Sequence, residues 1–255
     1  MAFQYDYNAS DSRQNFAAMD AGLRAYMLRV YNWMAVALVV TGGVALAVVN
    51  TSLRDVFFHV VSSQSGWMIA PTVLGYVAIF APLLFVMVLS FGVNRLSRST
   101  AQILFLAFSA VMGISMASLF FAYTGTSIAR TFFITAALYA SVSLWGYVTN
   151  RSLTGMGSFL FMGMVGLLIA MIVNMFFHSG MVDLLVSCAG VLIFTGFTAY
   201  DTQRIKFSYQ QQYAYVGPEM LAKNSIYDAL SMYLNFVNLF QFLLQFLGVR
   251  NDSRS

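Results

Sequence analysis

One aspartate stands out among the residues that could do chemistry in this chain. Residues 184–200 carry no charged side chain, and the stretch "FTAYDTQRIK" (197–206) then places Asp201 one helical turn before Arg204. A carboxylate in such an apolar segment marks a functional site by default if the segment lies in a membrane. Two interpretations stay open: Asp201 is sheltered by a partner from another helix, or it reaches water or Arg204 at the helix end.

A second set of polar residues lies in the last apolar segment, "YDALSMYLNFVNLFQFLLQFLG" (227–248). At steps of three or four residues this segment carries one polar stripe: Asp228, Ser231, Asn235, Asn238, Gln241 and Gln245. The preceding segment has a matching edge of Thr195, Thr198 and Asp201. Because polar groups in contact with hydrocarbon are unfavourable, both edges should face the bundle interior or water. The stripe either joins helices or lines a pathway, and in the second case Ser231, Asn238 and Thr198 are lining residues.

The composition places these segments in a membrane. The chain of 255 residues is 60% hydrophobic and only 9% charged, whereas a soluble domain carries about 25% charged residues. The alternation typical of a membrane barrel is absent. The net charge of +4 comes from basic residues scattered through short loops, so no nucleic-acid partner is predicted. The lipid bilayer is the predicted partner, and the single cysteine, Cys188, is a small apolar core residue.

Seven apolar segments, each near the ~20 residues that a spanning helix needs, predict an all-α bundle of seven transmembrane helices with the last one central. The segments are drawn at residues 31–50, 69–92, 101–123, 130–149, 156–177, 184–203 and 226–248. The stretch "FFHVVSSQSGW" (57–67) is ambiguous and fits an interfacial turn. The chain then divides into a polar N-terminal tail (1–25), the membrane domain (26–249) and a short C-terminal tail (250–255).

Small residues at helical spacing predict close helix packing in two of these segments. The residues concerned are Ser109, Gly113 and Ala117 in the third segment, and Gly163, Gly166, Ala170 and Asn174 in the fifth.

The basic residues predict that the N-terminus lies in the cytoplasm. With that assignment, nine basic residues fall on the cytoplasmic side and only Arg54 and Arg130 on the opposite side, in line with the positive-inside rule. The nine are Arg13, Arg24, Arg29, Arg95, Arg98, Arg151, Arg204, Lys206 and Lys223. Arg250 and Arg254 are an exception, because seven full crossings place them outside. Either the last segment is re-entrant, or the bias of the first six overrules the tail.

Several stretches resemble the Bax-inhibitor family, also called the transmembrane Bax inhibitor motif family, in its bacterial branch. "FTAYDTQRIK" resembles the family's sixth-helix signature and "ALSMYLNFVNLFQFLLQFLG" its closing helix, and the resemblance covers about residues 20–248. It implies a seven-helix bundle of the bacterial inner membrane that mediates a pH-sensitive leak of calcium or other cations. The alternative that the family also allows is a non-transporting protein that binds and restrains other membrane machinery, such as a quality-control protease.

The resemblance also implies a gate near the cytoplasmic mouth, where aspartates of the sixth and seventh helices share a proton. Asp201 matches the first aspartate, but the family's "LYLDF" reads "MYLNF" here, so Asn235 stands at the second position. An asparagine donates a hydrogen bond but shares no titrating proton, so weaker proton sensitivity is expected. The family's arginine latch maps by position onto Arg95. The predicted gate therefore comprises Asp201, Asn235 and Arg95.

Other function classes find little support in the sequence. An intramembrane aspartyl protease needs two carboxylates that share a proton, whereas Asp183 and Asp228 lie near the ends of their segments. His59 and His178 lie near outer-side loops without clustered ligands, so no metal site is predicted. The seventh helix lacks a central lysine for a Schiff base, and no phosphate-binding glycine loop is found. We predict neither an enzyme nor a cofactor.

Overall fold

The computed structural model describes residues 4–63, 66–92 and 96–251 and is built almost entirely of helices. In chain order the elements are α1 (Gln4–Asn50), α2 (Leu53–Phe57), β1 (Phe58–Ser63), β2 (Gly66–Pro71), α3 (Val73–Gly92), α4 (Arg98–Ala122), α5 (Gly125–Val148), α6 (Thr154–Phe177), α7 (Gly180–Gln211) and α8 (Pro218–Leu247). A single 3-10 turn, Tyr213–Tyr215, lies between α7 and α8. Because α1 begins at Gln4, most of the segment predicted as a tail (1–25) is helical.

Six of the seven predicted segments are helices long and apolar enough to cross a bilayer, namely α1, α4, α5, α6, α7 and α8. The segment predicted at 69–92 differs, because its first residues belong to β2 and α3 begins only at Val73. The apolar stretch of α3, Val73–Val88, is roughly 24 Å long at helical rise, against about 30 Å of hydrocarbon. The chain is an integral membrane protein of helices, and the count of seven crossings is not confirmed.

The ambiguous stretch before α3 folds as a β-hairpin, which departs from the all-α prediction. Strands β1 and β2 pair antiparallel, from Phe58 opposite Pro71 to Ser63 opposite Gly66. Phe58 is buried and packs edge-on against Phe121 of α4, with 5.1 Å between the ring centroids. Valine, isoleucine and aromatic side chains in a short run favour a strand over a helix. The hairpin forms most of the connection between α1 and α3.

The last helix is the most enclosed element of the bundle, as predicted. α8 packs against α1, α4, α5 and α7. In its most apolar window 61% of the residues are buried, whereas the other five spanning helices reach 17–33%. Large side chains such as Tyr233 and Leu239 fill the contacts with its neighbours. A helix enclosed on this many sides holds its polar stripe away from lipid.

Glycines set the closest helix contacts. A β-carbon at Gly113 would lie 2.6 Å from the carbonyl oxygen of Thr41, so α4 approaches the α1 backbone directly, as the spacing predicts. A β-carbon at Gly146 would lie 2.6 Å from the carbonyl oxygen of Ala199, which brings α5 equally close to α7. Gly166 behaves differently from its prediction, because a β-carbon there meets no atom within 4 Å.

Alanine at Gly146 should therefore destabilise the bundle. The added methyl group meets the Ala199 carbonyl oxygen and α-carbon, both of which are backbone atoms that yield only if α5 and α7 move apart. We expect the free energy of unfolding to fall by about 1–3 kcal/mol, the usual range for overpacking. Unfolding of the purified chain in mixed micelles by a denaturing detergent measures this loss. Gly166→Ala is the matched control, and an equal loss in both variants would contradict the close approach.

The last helix runs the full length of the bundle and is not re-entrant. α8 is one continuous helix, Pro218–Leu247, roughly 45 Å long at helical rise. Beyond it, the backbone N–H of Asn251 donates to the carbonyl of Ala122 at 2.9 Å, next to the α4–α5 connection. We call the end of the bundle that holds this contact the outer end and the end that holds the connection 212–217 the inner end. α8 thus runs from the inner to the outer end.

Candidate functional site

A hydrogen-bonded cluster around Asp201 ties α7 to α8. Asp201 is buried, with only 5% of its surface exposed. Its Oδ2 accepts hydrogen bonds from the Ser231 hydroxyl at 2.6 Å and from the Asn235 amide at 2.7 Å. Its Oδ1 lies 3.2 Å from Nη2 of Arg204, which also donates to the Ser231 hydroxyl at 3.3 Å. We call Asp201, Arg204, Ser231 and Asn235 the Asp201 cluster.

Helix geometry brings these four side chains together. On α7, Arg204 follows Asp201 by three residues, and on α8, Asn235 follows Ser231 by four, so each pair shares one helix face. The connection 212–217 turns α8 back along α7, which places the two faces opposite each other. The Arg204 side chain is 43% exposed and that of Asp201 only 7%. The cluster therefore has a buried acidic centre and a cation at its exposed edge.

A cavity of about 1180 Å³ extends from the Asp201 cluster along α8. Its polar wall is formed by Asp201 and Arg204 of α7 and by Ser231, Asn235, Asn238, Gln241 and Gln245 of α8. The facing walls are apolar side chains of α3 and α6, such as Leu83 and Phe161. From Ser231 to Gln245 the polar wall is ~21 Å long at helical rise, which is most of the hydrocarbon thickness of about 30 Å.

Comparison with known proteins assigns the chain to a family. Residues 23–252 match the family described as inhibitor of apoptosis-promoting Bax1. The chain belongs to the Bax-inhibitor family. It is 43% identical to an uncharacterized protein of Rickettsia prowazekii over 91% of this chain and 93% of the relative, and 43% identical to one of Caulobacter vibrioides over 91% of each. It is 38% identical to the inner membrane protein YbhL of Escherichia coli over 90% and 94% of the two chains.

This member of the Bax-inhibitor family has an amide where the sequence resemblance implies a second carboxylate. Asn235 is buried, and its Nδ2 lies 2.7 Å from Oδ2 of Asp201. The two gate residues predicted on α7 and α8 are thus in direct contact. The contact is a hydrogen bond donated by a neutral amide, so Asp201 is the only carboxylate of the cluster.

Arg204 is the cation that contacts Asp201. The sequence left two interpretations open, a sheltered carboxylate and one paired with Arg204 at the helix end, and the structure combines them. The three-residue spacing in "YDTQR" was the signal for this pair. Arg95, the predicted latch, lies outside the described residues, so its role stays a prediction.

The predicted lining residues divide into two groups. Ser231 and Asn238 line the cavity, and the Asn238 amide donates to the carbonyl of Leu234 on its own helix at 2.8 Å. Thr198 is not among the cavity-lining residues: it is fully buried, and its hydroxyl donates to the carbonyl of Phe194 at 2.8 Å. Thr198 lies on a different face of α7, about 100° around the helix axis from Phe197, which lines the cavity.

Both ends of the polar stripe are tied to neighbouring helices. At the inner end, Asp228 leaves the cavity and accepts a hydrogen bond from the Tyr26 hydroxyl of α1 at 2.6 Å. At the outer end, Gln245 accepts one from the Ser187 hydroxyl of α7 at 3.2 Å. The spacing of the stripe indicated neither partner. These contacts fix the rotation of α8, which keeps the intervening polar side chains directed into the cavity.

Proposed function

We propose that this protein is a leak pathway for calcium and other cations, gated at the Asp201 cluster and modulated by pH. The observation that carries the proposal is a buried carboxylate at the inner end of a cavity that has one polar wall, formed mainly by α8, in an otherwise apolar bundle. Ionisable groups within a membrane are unfavourable and mark ion or proton pathways when they line an interior cavity. The family's implied cation leak agrees with this placement.

The described arrangement corresponds to a closed pathway in this proposal. Three side chains bind the Asp201 carboxylate, and two of them come from α8, so the cluster joins the two helices at the inner end of the cavity. The Arg204 guanidinium occupies the position that a cation would take beside Asp201. When Asp201 binds a proton, it no longer neutralises Arg204, whose positive charge then repels cations at the inner mouth. Proton concentration therefore acts on the same contact that closes the pathway.

The oxygen atoms along the cavity are better suited to the passage of calcium than to its tight binding. Within the described part of the chain, no three His, Cys, Asp or Glu side chains come together as a metal site. A permeating calcium ion would meet one carboxylate and neutral amide or hydroxyl oxygens, whereas tight sites gather six to eight oxygen ligands with several carboxylates. Conduction requires binding weak enough for the ion to leave. We include no catalytic step in the proposal.

The proposed location is the bacterial inner membrane, with the N-terminus in the cytoplasm. The Escherichia coli relative YbhL is named an inner membrane protein, and the distribution of basic residues supports the orientation. The inner end of the bundle then faces the cytoplasm. In that orientation the Asp201 cluster responds to the pH of the cytoplasm.

Proteoliposomes loaded with a calcium indicator test the proposal. Wild-type protein should carry calcium faster than protein-free liposomes, and Arg204→Gln should raise the rate roughly tenfold, because removing one close charge pair changes an equilibrium by about that factor. Arg151→Gln is the matched control, since it removes an exposed arginine of the inner end that makes no contact with Asp201. Wild-type flux equal to that of empty liposomes would reject the leak. Equal rates for Arg204→Gln and wild type would reject the role of Arg204 as the closing cation.

A further inference from the structure

Gln203 is a buried side chain that the proposed pathway does not use. It follows Asp201 by two residues on α7, about 200° around the helix axis, so it lies on the face turned away from the Asp201 cluster. Only 3% of its surface is exposed, and it is not among the cavity-lining residues. A buried amide in an apolar bundle needs partners for both its oxygen and its nitrogen.

Both ends of this amide bind the connection between α5 and α6 (149–153). The Gln203 Oε1 accepts a hydrogen bond from the backbone N–H of Leu153 at 2.7 Å. Its Nε2 donates to the backbone carbonyl of Arg151 at 2.8 Å. The side chain thus pairs with the connection as the edge of a neighbouring strand would, and it satisfies backbone groups that lie outside the two helices.

The start of α6 depends on this pairing. Leu153 immediately precedes α6, is buried, and provides no side-chain cap to the helix. Because Gln203 binds the N–H of Leu153, it fixes the residue from which α6 begins. Lys206 makes the corresponding contact at the end of α5, where its Nζ donates to the carbonyl of Tyr147 at 2.8 Å. At the inner end of the bundle α7 therefore holds both the end of α5 and the start of α6.

The two ends of α6 are held in different ways. α7 is the main neighbour of α6 along its length. At the outer end a short connection (178–179) joins the two helices, and the Asn174 amide of α6 donates to the Asp183 carboxylate of α7 at 2.5 Å. At the inner end the chain continues instead through the longer connection to α5. Gln203 supplies the polar contact that keeps this end of α6 against α7.

The inner end of α6 faces the Asp201 cluster across the cavity. Gly157 and Ser158 of α6 line the cavity together with the cluster. A β-carbon at Gly157 would lie 2.6 Å from Cζ of Tyr200, another cavity-lining residue, so α6 approaches α7 closely at this level. Gly157 comes four residues after Leu153, roughly 6 Å at helical rise. A displacement of Leu153 therefore reaches the cavity wall within about one helical turn.

We propose that Gln203 is a positioning residue of the cation pathway, which holds the inner end of α6 close enough to the Asp201 cluster to exclude large cations. The inference rests on the proposed leak and adds to it a determinant of size selectivity. Without the two hydrogen bonds of Gln203, the inner end of α6 moves away from the cluster and the inner mouth widens. Calcium and a larger organic cation then pass at more similar rates.

Hydrogen exchange tests the contact independently of ion flux. Gln203→Met has a similar shape but lacks the amide. In this variant the amide hydrogen of Leu153 should exchange roughly tenfold faster, because two buried hydrogen bonds of ordinary strength shift an opening equilibrium by at least about that factor. Gln211→Met is the matched control, since it replaces an exposed glutamine at the end of the same helix. Equal exchange at Leu153 in Gln203→Met and wild type would overturn the role of Gln203.

Proteoliposomes that take up calcium or tetraethylammonium test the selectivity. The ratio of tetraethylammonium uptake to calcium uptake should rise roughly tenfold in Gln203→Met and stay at the wild-type value in Gln211→Met. Gln203→Asn has an amide that is one methylene too short to span both partners, so it should give an intermediate ratio. This variant carries the test if circular dichroism shows that Gln203→Met is unfolded.

The ratio separates positioning from a contribution to stability alone. A contact that only stabilised the fold would, when removed, lower both uptake rates together through loss of folded protein. An unchanged ratio in both Gln203 variants therefore overturns the proposal, while calcium uptake by wild type above that of empty liposomes leaves the leak in place. Wild-type calcium uptake no faster than that of empty liposomes would instead reject the leak, and the selectivity role of Gln203 with it.

Discussion

Alanine in place of Asp201 is expected to abolish the pH dependence of cation flux and to lower the flux at least about tenfold. Asp201 is the only carboxylate of the cluster and the only negative charge on the polar wall of the cavity. Without it, the Arg204 charge is unopposed at the inner mouth and repels cations, and a close like charge is worth more than a factor of ten. Calcium uptake by proteoliposomes between pH 6 and pH 8 measures both effects.

The same substitution should destabilise the fold. It leaves the buried Asn235 amide and the Ser231 hydroxyl without the acceptor that joins α8 to α7. An orphaned buried polar group costs about 1–3 kcal/mol, so a loss of about 3 kcal/mol in the free energy of unfolding is expected.

Two further variants separate charge from hydrogen bonding. Asp201→Asn keeps an acceptor oxygen and should lose most of the flux but only part of the stability. Asp55→Ala removes an exposed carboxylate of the outer end and should change neither quantity. If Asp201→Ala kept the wild-type pH profile, the proton response would have to reside elsewhere in the chain.

The stripe on α8 was predictable because polar side chains are rare in this sequence. Six of them recur at steps of three or four residues, and five line the cavity. Periodicity gives the face of a helix but not the neighbour that it meets. It therefore did not separate Asp228, which turns to Tyr26 of α1, from the other members of the stripe.

On α7 the sequence identified the carboxylate but not which of the residues near it also line the cavity. Thr198 and Arg204 both lie three residues from Asp201, in opposite directions, and only Arg204 lines the cavity. Which side of Asp201 meets the cavity depends on how α6 and α8 pack around α7, and that information is spread over the whole bundle. The contact between Asp201 and Asn235 followed from the family resemblance rather than from spacing.

The hairpin and the start of α3 were harder to predict for a different reason. Short apolar runs do not distinguish a strand from a helix by periodicity alone. Residues 69–71 were included in the predicted second span, yet they pair with β1. Gly166 illustrates the same limit, since small residues at helical spacing permit a close contact but do not create one.

Aspartate in place of Asn235 is expected to give a steep pH response. The new carboxyl group would lie where the amide now donates, 2.7 Å from Oδ2 of Asp201. Two carboxyl groups at that distance share one proton, because both cannot be ionised without strong repulsion. At low pH the shared proton joins α7 to α8, and at high pH its loss drives them apart. We expect the ratio of calcium flux at pH 8 to that at pH 6 to exceed the wild-type ratio roughly tenfold.

The free energy of unfolding of Asn235→Asp should fall over the same rise in pH that increases its flux. The folded variant holds the shared proton more tightly than the unfolded chain does, so the added stability is present at low pH and is lost as pH rises. A decrease of about 2 kcal/mol in the free energy of unfolding between pH 6 and pH 8 corresponds to repulsion that Arg204 partly offsets.

Asn238→Asp is the matched control for this variant. It places a carboxyl group one turn further along the same wall, where the present amide donates to the Leu234 carbonyl and not to Asp201. It adds the same negative charge to the cavity but forms no proton-sharing pair, so its pH profile should stay close to that of wild type. If both variants changed the profile equally, the added charge of the cavity wall would be the cause, and coupling between neighbouring carboxyl groups would play no part in gating.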